Sequence, residues 1–291
     1  MTRWPSWQLF AVAVLIWSTT WHAIVHQLAG MPASYGVTLR FALAAAAVLA
    51  LAAWRRERLW FGVRAQALLA LQGVFMYGLA YLCVYEAERH VSSGLVALGY
   101  SASPLLMGLG AWALWRVPVS ARFVGGGLCG VAGVALLFAP ELAQTQGGSA
   151  AARGLAFTAA AVGLSAVGAL AASRNTSHRL PFWPALGWGL AWGAAAAGAV
   201  ALLSGPLPPW PTAAAWWISL AWLSLAGTVV AFSAYLTLQQ RLGPGKAASV
   251  GVMTPLFALA VSTLLEGYQP SGWTLAGALL VVAGNGLMLR R

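Results

Sequence analysis

The chain has 291 residues and a mean hydropathy of +0.78, with 60% hydrophobic and only 7% charged residues. Soluble domains carry roughly 45–50% apolar and about 25% charged residues. So few charges cannot cover the surface of a water-soluble protein of this length. The composition therefore excludes a soluble enzyme, a secreted scaffold and a disordered chain, and it predicts an all-α membrane protein that crosses the bilayer many times.

Apolar stretches separated by polar or Pro- and Gly-rich gaps predict ten transmembrane helices, because a bilayer core takes about 20 apolar residues per helix. We number them span 1 to span 10. Their predicted ranges are 8–28, 33–54, 65–85, 93–115, 120–139, 154–174, 183–204, 213–238, 247–265 and 272–289. The gaps between them are too short to hold a soluble domain.

The positions of Lys and Arg predict which compartment each gap faces. With a cytoplasmic N-terminus, only Arg89 and Arg153 fall outside, and Arg40 lies within span 2. The other thirteen basic residues fall on the cytoplasmic side: Arg3, Arg55, Arg56, Arg58, Arg64, Arg116, Arg122, Arg174, Arg179, Arg241, Lys246, Arg290 and Arg291. We therefore expect a bacterial inner-membrane protein with both termini in the cytoplasm. The net charge of +11 indicates topology and contact with anionic lipid head groups rather than nucleic-acid binding.

An internal repeat divides the chain into residues 1–145 and 146–291. Residues 94–137 align without a gap on residues 245–288, a shift of 151, and the matches include Pro104 with Pro255. The shift places span 4 on span 9 and span 5 on span 10, so each unit has five spans. Because five is odd, the second copy must enter the membrane inverted. The charges of the connecting segments agree with this inversion. The gap after span 4 is basic, whereas its counterpart after span 9 carries Glu266 without Lys or Arg.

With its ten spans in two inverted halves, the Arg40-Phe41 pair in span 2 and the prolines of spans 4 and 9, the chain resembles the EamA-type drug/metabolite transporter superfamily. The segment 17–20, Trp-Ser-Thr-Thr, is similar to the Trp-Gly start of that family, with Ser in place of Gly. The aromatic-rich spans look most like the YddG-type exporters of aromatic and other amino acids. The resemblance implies a secondary transporter with a substrate site near the membrane midplane between the halves.

The two prolines are the first candidates for helix kinks or gating elements. A proline inside a helix leaves the carbonyl four residues earlier without its partner, here the carbonyls of Tyr100 and Gly251. Such a carbonyl can hold a substrate ammonium group or a water molecule. The alternative is a packing kink whose carbonyl is satisfied by Ser103, Thr254 or a neighbouring helix.

Aromatic side chains recur at helical spacing in several spans and predict either helix packing or the wall of a substrate cavity. A cavity would be lined by spans 1, 3, 4, 8 and 9. The candidate substrate-binding residues are Trp17, Trp21, Tyr77, Tyr81, Tyr100, Ser103, Met107, Phe232, Tyr235 and Thr254.

Arg40 is the one basic residue predicted within a span, where a charge normally faces the interior of the helix bundle. The sequence contains no Asp, and none of its five Glu residues is predicted at mid-span. Arg40 is therefore either a structural tether to hydroxyl and carbonyl groups or a site that captures a substrate carboxylate.

No catalytic motif is present, and Cys83 and Cys129 have no second Cys or His at metal-ligand spacing. We therefore expect no metal, no cofactor and no enzymatic activity. The expected function is export of amino acids, aromatic ones included, by a monomeric carrier that works by alternating access. Since no acidic side chain is predicted at depth, gradient-driven passage or exchange is favoured. A proton-coupled multidrug or metabolite exporter is the alternative, and a lipid enzyme or a channel is less favoured.

Overall fold

The computed structural model describes residues 4–143, 148–177, 180–247 and 250–289. Within these ranges every regular element is helical. The uninterrupted helices are span 1 (Ser6–Leu28), span 2 (Ala33–Trp54), span 5 (Ala121–Ala143), span 6 (Gly148–Ser177), span 7 (Phe182–Leu203), span 9 (Val250–Leu265) and span 10 (Gly272–Leu289). Spans 3, 4 and 8 are interrupted, as described below.

The predicted set of ten spans is confirmed. Within the described residues, eight helices are long and apolar enough to cross a membrane, and two shorter apolar helices, Met253–Leu265 and Gly272–Met288, supply spans 9 and 10. Span 6 begins at Gly148, six residues before its predicted start at residue 154. The predicted boundary between residues 145 and 146 lies outside the described residues.

Three spans change helix type part-way through the bundle. Span 3 runs as an α-helix over Val63–Gly73, a π-helix over Val74–Leu79 and an α-helix over Ala80–Glu88. Span 8 has the same order, with Ala214–Ala221, a π-helix over Trp222–Val230 and Ala231–Ala247. The repeat shift of 151 places residues 74–79 on residues 225–230, so the two π-helical segments occupy equivalent places. Span 4 consists of Ser93–Gly99, a 3-10 turn over Tyr100–Ala102 and Ser103–Trp115.

Helix packing follows an approximate two-fold symmetry that exchanges each span with the one five places later. Span 2 packs on span 7 and span 5 packs on span 10, so these helices contact their own repeat partners. Span 1 packs on spans 8 and 9, and correspondingly span 6 packs on spans 3 and 4. The whole bundle is thus made from one five-helix arrangement used twice.

A glycine seam between spans 5 and 10 shows that the two copies are inverted. Gly126 lies against the carbonyl group of Gly284, and Gly133 lies against the carbonyl group of Gly277. Rising numbers in one helix meet falling numbers in the other, so the helices are antiparallel. The shift of 151 converts Gly126 into Gly277 and Gly133 into Gly284, so the two contacts are symmetry equivalents of each other. Small residues of this kind let helix backbones approach closely inside a membrane.

The two ends of the bundle differ in chemistry. One end holds Glu86, Glu88 and Glu266, and we call it the outer end after the orientation predicted from the basic residues. Here the first part of span 4, Ser93–Gly99, packs against span 9. A methyl group on Gly94 would sit 3.1 Å from the Cα of Leu259. The outer ends of spans 4 and 9 are therefore closed against each other.

We predict that Gly126→Ala destabilises the fold by about 1–3 kcal/mol, the usual cost of forcing extra atoms into a packed contact. The added methyl group would strike the backbone of Gly284, which cannot rotate away as a side chain can. Gly125→Ala is the matched control, because nothing lies within 4 Å of a methyl group placed there. The midpoint of thermal unfolding in detergent should fall in the first variant only, and equal midpoints in both would contradict the antiparallel seam.

Candidate functional site

A continuous run of aromatic rings crosses the bundle interior from span 8 to span 2 and span 3. We call it the aromatic chain. Its members, in order of contact, are Tyr235, Trp17, Phe232, Tyr77, Phe41 and Tyr81, with ring centroids 4.8–5.6 Å apart. The central rings of Tyr77, Phe41 and Phe232 are buried, whereas those of Trp17, Tyr81 and Tyr235 keep partial exposure. The rings at the two ends of the aromatic chain, Tyr235 and Tyr81, are therefore partly exposed.

Arg40 lies at the span 3 end of the aromatic chain. Its guanidinium carbon sits 4.6 Å from the ring centre of Tyr81 and 5.2 Å from that of Phe41. The Nε–H group donates to the hydroxyl of Thr228 at 3.2 Å. Arg40 is only 1% exposed, and its buried Nη1 has no hydrogen-bond partner in the part of the chain that the structure describes. The Arg40 side chain is therefore held in place by one hydrogen bond and keeps another N–H group that can still donate.

The side chains of Arg40 and Trp17 both form hydrogen bonds with the π-helix of span 8. The hydroxyl of Thr228 donates to the carbonyl of Leu223 at 2.8 Å, and the indole N–H of Trp17 donates to the carbonyl of Gly227 at 3.1 Å. A side chain on Gly227 would collide with the methyl group of Thr20. The wider helical turn thus frees backbone carbonyls that side chains from spans 1 and 8 then satisfy.

A second, smaller cluster joins spans 1, 4 and 6. The ring of Trp21 lies 5.4 Å from that of Tyr100, whose hydroxyl is 3.0 Å from that of Ser165. The carbonyl of Tyr100 accepts a hydrogen bond from the Ser103 hydroxyl at 2.6 Å. The buried indole N–H of Trp21 has no partner among the described residues.

The two prolines have different surroundings although they occupy equivalent positions. Pro104 follows the 3-10 turn of span 4, where the backbone N–H and the hydroxyl of Ser103 both donate to the carbonyl of Tyr100. Pro255 is buried inside the unbroken helix of span 9, while Gly251 is exposed with open space beside it. A change of helix type next to the proline is therefore present in span 4 and absent from the described part of span 9.

The remaining predicted residues lie at the edge of the two clusters. The carbonyl of Thr254 accepts the hydroxyl of Ser18 at 3.2 Å, which joins span 9 to span 1. The Thr254 hydroxyl donates a hydrogen bond to the carbonyl of Val250, one turn earlier in the same helix. Met107 is half-buried one turn beyond the 3-10 turn, and it takes part in none of the ring contacts found in the described residues. Thr254 and Met107 are thus not joined directly to the aromatic chain.

Three residues that sequence reasoning did not select complete the site. Phe41 connects Tyr77 to Tyr81, Thr228 anchors Arg40, and Ser165 pairs with Tyr100. The adjacency of Phe41 to Arg40 was visible in the sequence, but span 2 was not expected to line the cavity. Thr228 has no local signal, because only the π-helical turn and the inverted repeat bring it to Arg40.

Two stretches of the chain, residues 5–139 and 153–290, each match the EamA-like transporter family. This chain belongs to that family. The EamA-like assignment makes it a multi-pass membrane transporter, and the two separate matches agree with the two five-helix units. The resemblance drawn from the sequence is confirmed at the level of the family.

Comparison with solved structures gives the same fold. One crystal structure superposes with a TM-score of 0.71 over 97% of this chain and 95% of that chain, at 21% sequence identity. An identity this low shows a shared fold and says nothing of the substrate. A search of curated proteins finds no match.

We predict that Thr228→Val lowers the stability of this EamA-like protein by about 1–3 kcal/mol, because it leaves the buried Nε–H of Arg40 unsatisfied. Thr38→Val is the matched control in span 2, since the hydroxyl of Thr38 bonds only to the carbonyl of Ser34 one turn earlier. Thermal unfolding in detergent should separate the two variants. A Thr228→Val protein as stable as the control would show that the tether to Arg40 contributes nothing.

Proposed function

We propose that this transporter exports amino acids, aromatic ones included, from the cytoplasm by alternating access. The proposal rests on the buried guanidinium of Arg40, whose Nη1 donor has no partner among the described residues and which lies beside the half-buried ring of Tyr81. A carboxylate fits a guanidinium as a two-point hydrogen-bond acceptor, and aromatic faces suit an apolar side chain. The chemistry of the site therefore matches a small molecule that combines a carboxylate with an apolar group.

No acidic side chain forms an ion pair with Arg40 within the described ranges, and this supports the same substrate class. Its hydrogen-bond partner is a neutral hydroxyl and its neighbours are aromatic rings. A buried cation without an anion is costly in an apolar interior. A substrate carboxylate would supply the missing negative charge, which makes the occupied site more stable than the empty one.

The YddG-like substrate range is part of this proposal. It is supported by the resemblance of the sequence to amino-acid exporters and by the number of aromatic rings in the site. A multidrug exporter of the same superfamily would use the same rings but would not need the guanidinium, so the requirement for a carboxylate separates the two functions.

Counterflow in liposomes tests the proposal with phenylalanine as the labelled substrate. Unlabelled phenylalanine should compete, and phenethylamine, which has the same ring and amine but lacks the carboxylate, should compete at least tenfold more weakly. Equal competition by the two compounds would contradict carboxylate recognition and favour the multidrug function. Failure of every amino acid to exchange would overturn the proposed substrate class.

The variant Arg40→Lys should weaken phenylalanine exchange by about tenfold while the folded yield stays near that of the wild type, because Lys keeps the charge but loses the planar pair of donors. Arg55→Lys is the control, since Arg55 is exposed and lies 5.5 Å from the ring of Trp183 outside the site. Loss of folded protein in Arg40→Lys, with normal exchange by the fraction that folds, would assign Arg40 a structural role alone.

A further inference from the structure

Glu266 connects three spans at the outer end of the bundle. It follows the last residue of span 9 and accepts hydrogen bonds from the hydroxyl of Ser93, from the backbone N–H of Ser93 at 3.3 Å and from the hydroxyl of Ser262 at 2.6 Å. The Nδ1 atom of His22 lies 3.1 Å from the same carboxylate. Because these groups belong to spans 1, 4 and 9, we call the four residues the outer latch.

The Glu266 carboxylate is ionised in this arrangement. Burial opposes its charge, but the hydrogen bonds from Ser262, Ser93 and His22 outweigh burial and lower the pKa of Glu266 below its ordinary value. A carboxylate that accepts several hydrogen bonds favours its charged form. The outer latch therefore holds a fixed negative charge at neutral pH.

Glu88, at the end of span 3, is in the opposite situation. Both of its carboxyl oxygens are fully buried and have no hydrogen-bond partner in the described part of the chain. Its neighbour Glu86 points away and pairs with Arg89 at 3.3 Å on the exposed face of the helix. An unpaired carboxylate whose two oxygens are both buried is far less stable than the neutral acid.

We propose that Glu88 is a proton-binding site that takes up one proton from the outer solution when the outer latch closes and releases it when the latch opens. The closed form holds Glu88 as the neutral acid, with both carboxyl oxygens buried. Opening the outer ends of spans 4 and 9 hydrates Glu88, which then ionises. This inference rests on the proposed alternating-access function, because it assigns the proton to one step of that cycle.

The proton is exchanged with the outer side only, so it sets how readily the outer end opens and does not drive uphill transport. The interpretation of the sequence placed Glu88 in an outer loop and found no acidic side chain inside the bundle. Its buried carboxyl group adds a pH response to a carrier that otherwise follows the substrate gradient.

The sign of the pH dependence follows from the two carboxyl groups. Closure that requires a neutral Glu88 is favoured at low pH and disfavoured as the pH rises. Ionised Glu266 stabilises the closed form by a constant amount above about pH 4.3, the ordinary pKa of a Glu side chain. This stabilisation is lost at lower pH. Between about pH 5 and pH 8 the change at Glu88 therefore dominates that at Glu266. The other titratable or charged groups around this end are His22, His26, Arg40, Cys83, Tyr85, Glu86, Arg89, His90, Arg153 and Tyr268.

The experiment measures the outer end directly and without substrate. Spin labels are placed on cysteines introduced at the exposed positions Arg153, at the start of span 6, and Gln269, after span 9, in a Cys83→Ala/Cys129→Ala background. The distance between the labels is followed from pH 5 to pH 8 in the full-length protein in liposomes. For one proton taken up, the ratio of closed to open forms should fall by up to about tenfold per pH unit as the pH rises.

Glu88→Gln should stay closed across this range, since its side chain is permanently neutral, and the pH dependence should shrink at least fivefold. Glu86→Gln is the matched control two residues away and should keep the wild-type response. His22→Gln should also keep a response, because Glu88 is intact there. A response that survives Glu88→Gln, disappears only in His22→Gln, or is absent from the wild type would overturn the proposal. Failure of amino-acid counterflow would overturn the proposed substrate and leave this measurement unaffected.

Discussion

The need to satisfy every polar group inside an apolar medium is the constraint on which this structure depends. With 7% charged residues, the chain has few side chains that can compensate for a free backbone group, so nearly all of it is helical. In two of the three interrupted spans, side chains donate to backbone carbonyls of the irregular turn. In span 4 Ser103 donates to Tyr100, and in span 8 Thr228 donates to Leu223 and Trp17 to Gly227. The irregular turns of these two spans therefore come with polar or aromatic donors.

This requirement explains why the candidate site lies where the helices are irregular. Tyr77 belongs to the π-helix of span 3, Tyr100 to the 3-10 turn of span 4, and Thr228 to the π-helix of span 8. A wider or tighter turn rotates the following residues relative to an ideal helix, which turns rings and hydroxyls toward the bundle interior. The same turns supply the acceptors that anchor Trp17 and hold Thr228 in place for Arg40. The polar centre of the carrier is thus a consequence of how its helices are broken.

The sequence was sufficient to predict the spans, their number and their inverted pairing, because hydropathy and the sign of loop charges act over whole segments. It also identified most of the aromatic rings, since spacing of four residues places them on one helix face. It could not predict the π-helices, which have no proline or other local marker, and so it did not bring Thr228 to Arg40. Nor could the sequence show that Glu86 and Glu88 lie in different environments. Two residues apart on a helix end, one faces water and the other the bundle, and only the packing of the bundle decides which.

The repeat makes the two ends of the carrier equivalent in shape, but their residues make them different in chemistry. The shift of 151 places Glu266 on Trp115 and Ser262 on Ala111, so the end opposite the outer latch has an aromatic ring and a methyl group at the corresponding positions. A gate made of such groups closes by burying apolar surface and has nothing to titrate. The outer latch closes through hydrogen bonds to a carboxylate, and a second carboxyl group loses access to water as it closes. An inverted duplication can therefore yield a symmetric path whose two gates respond to different conditions, since substitution in one copy changes one end only.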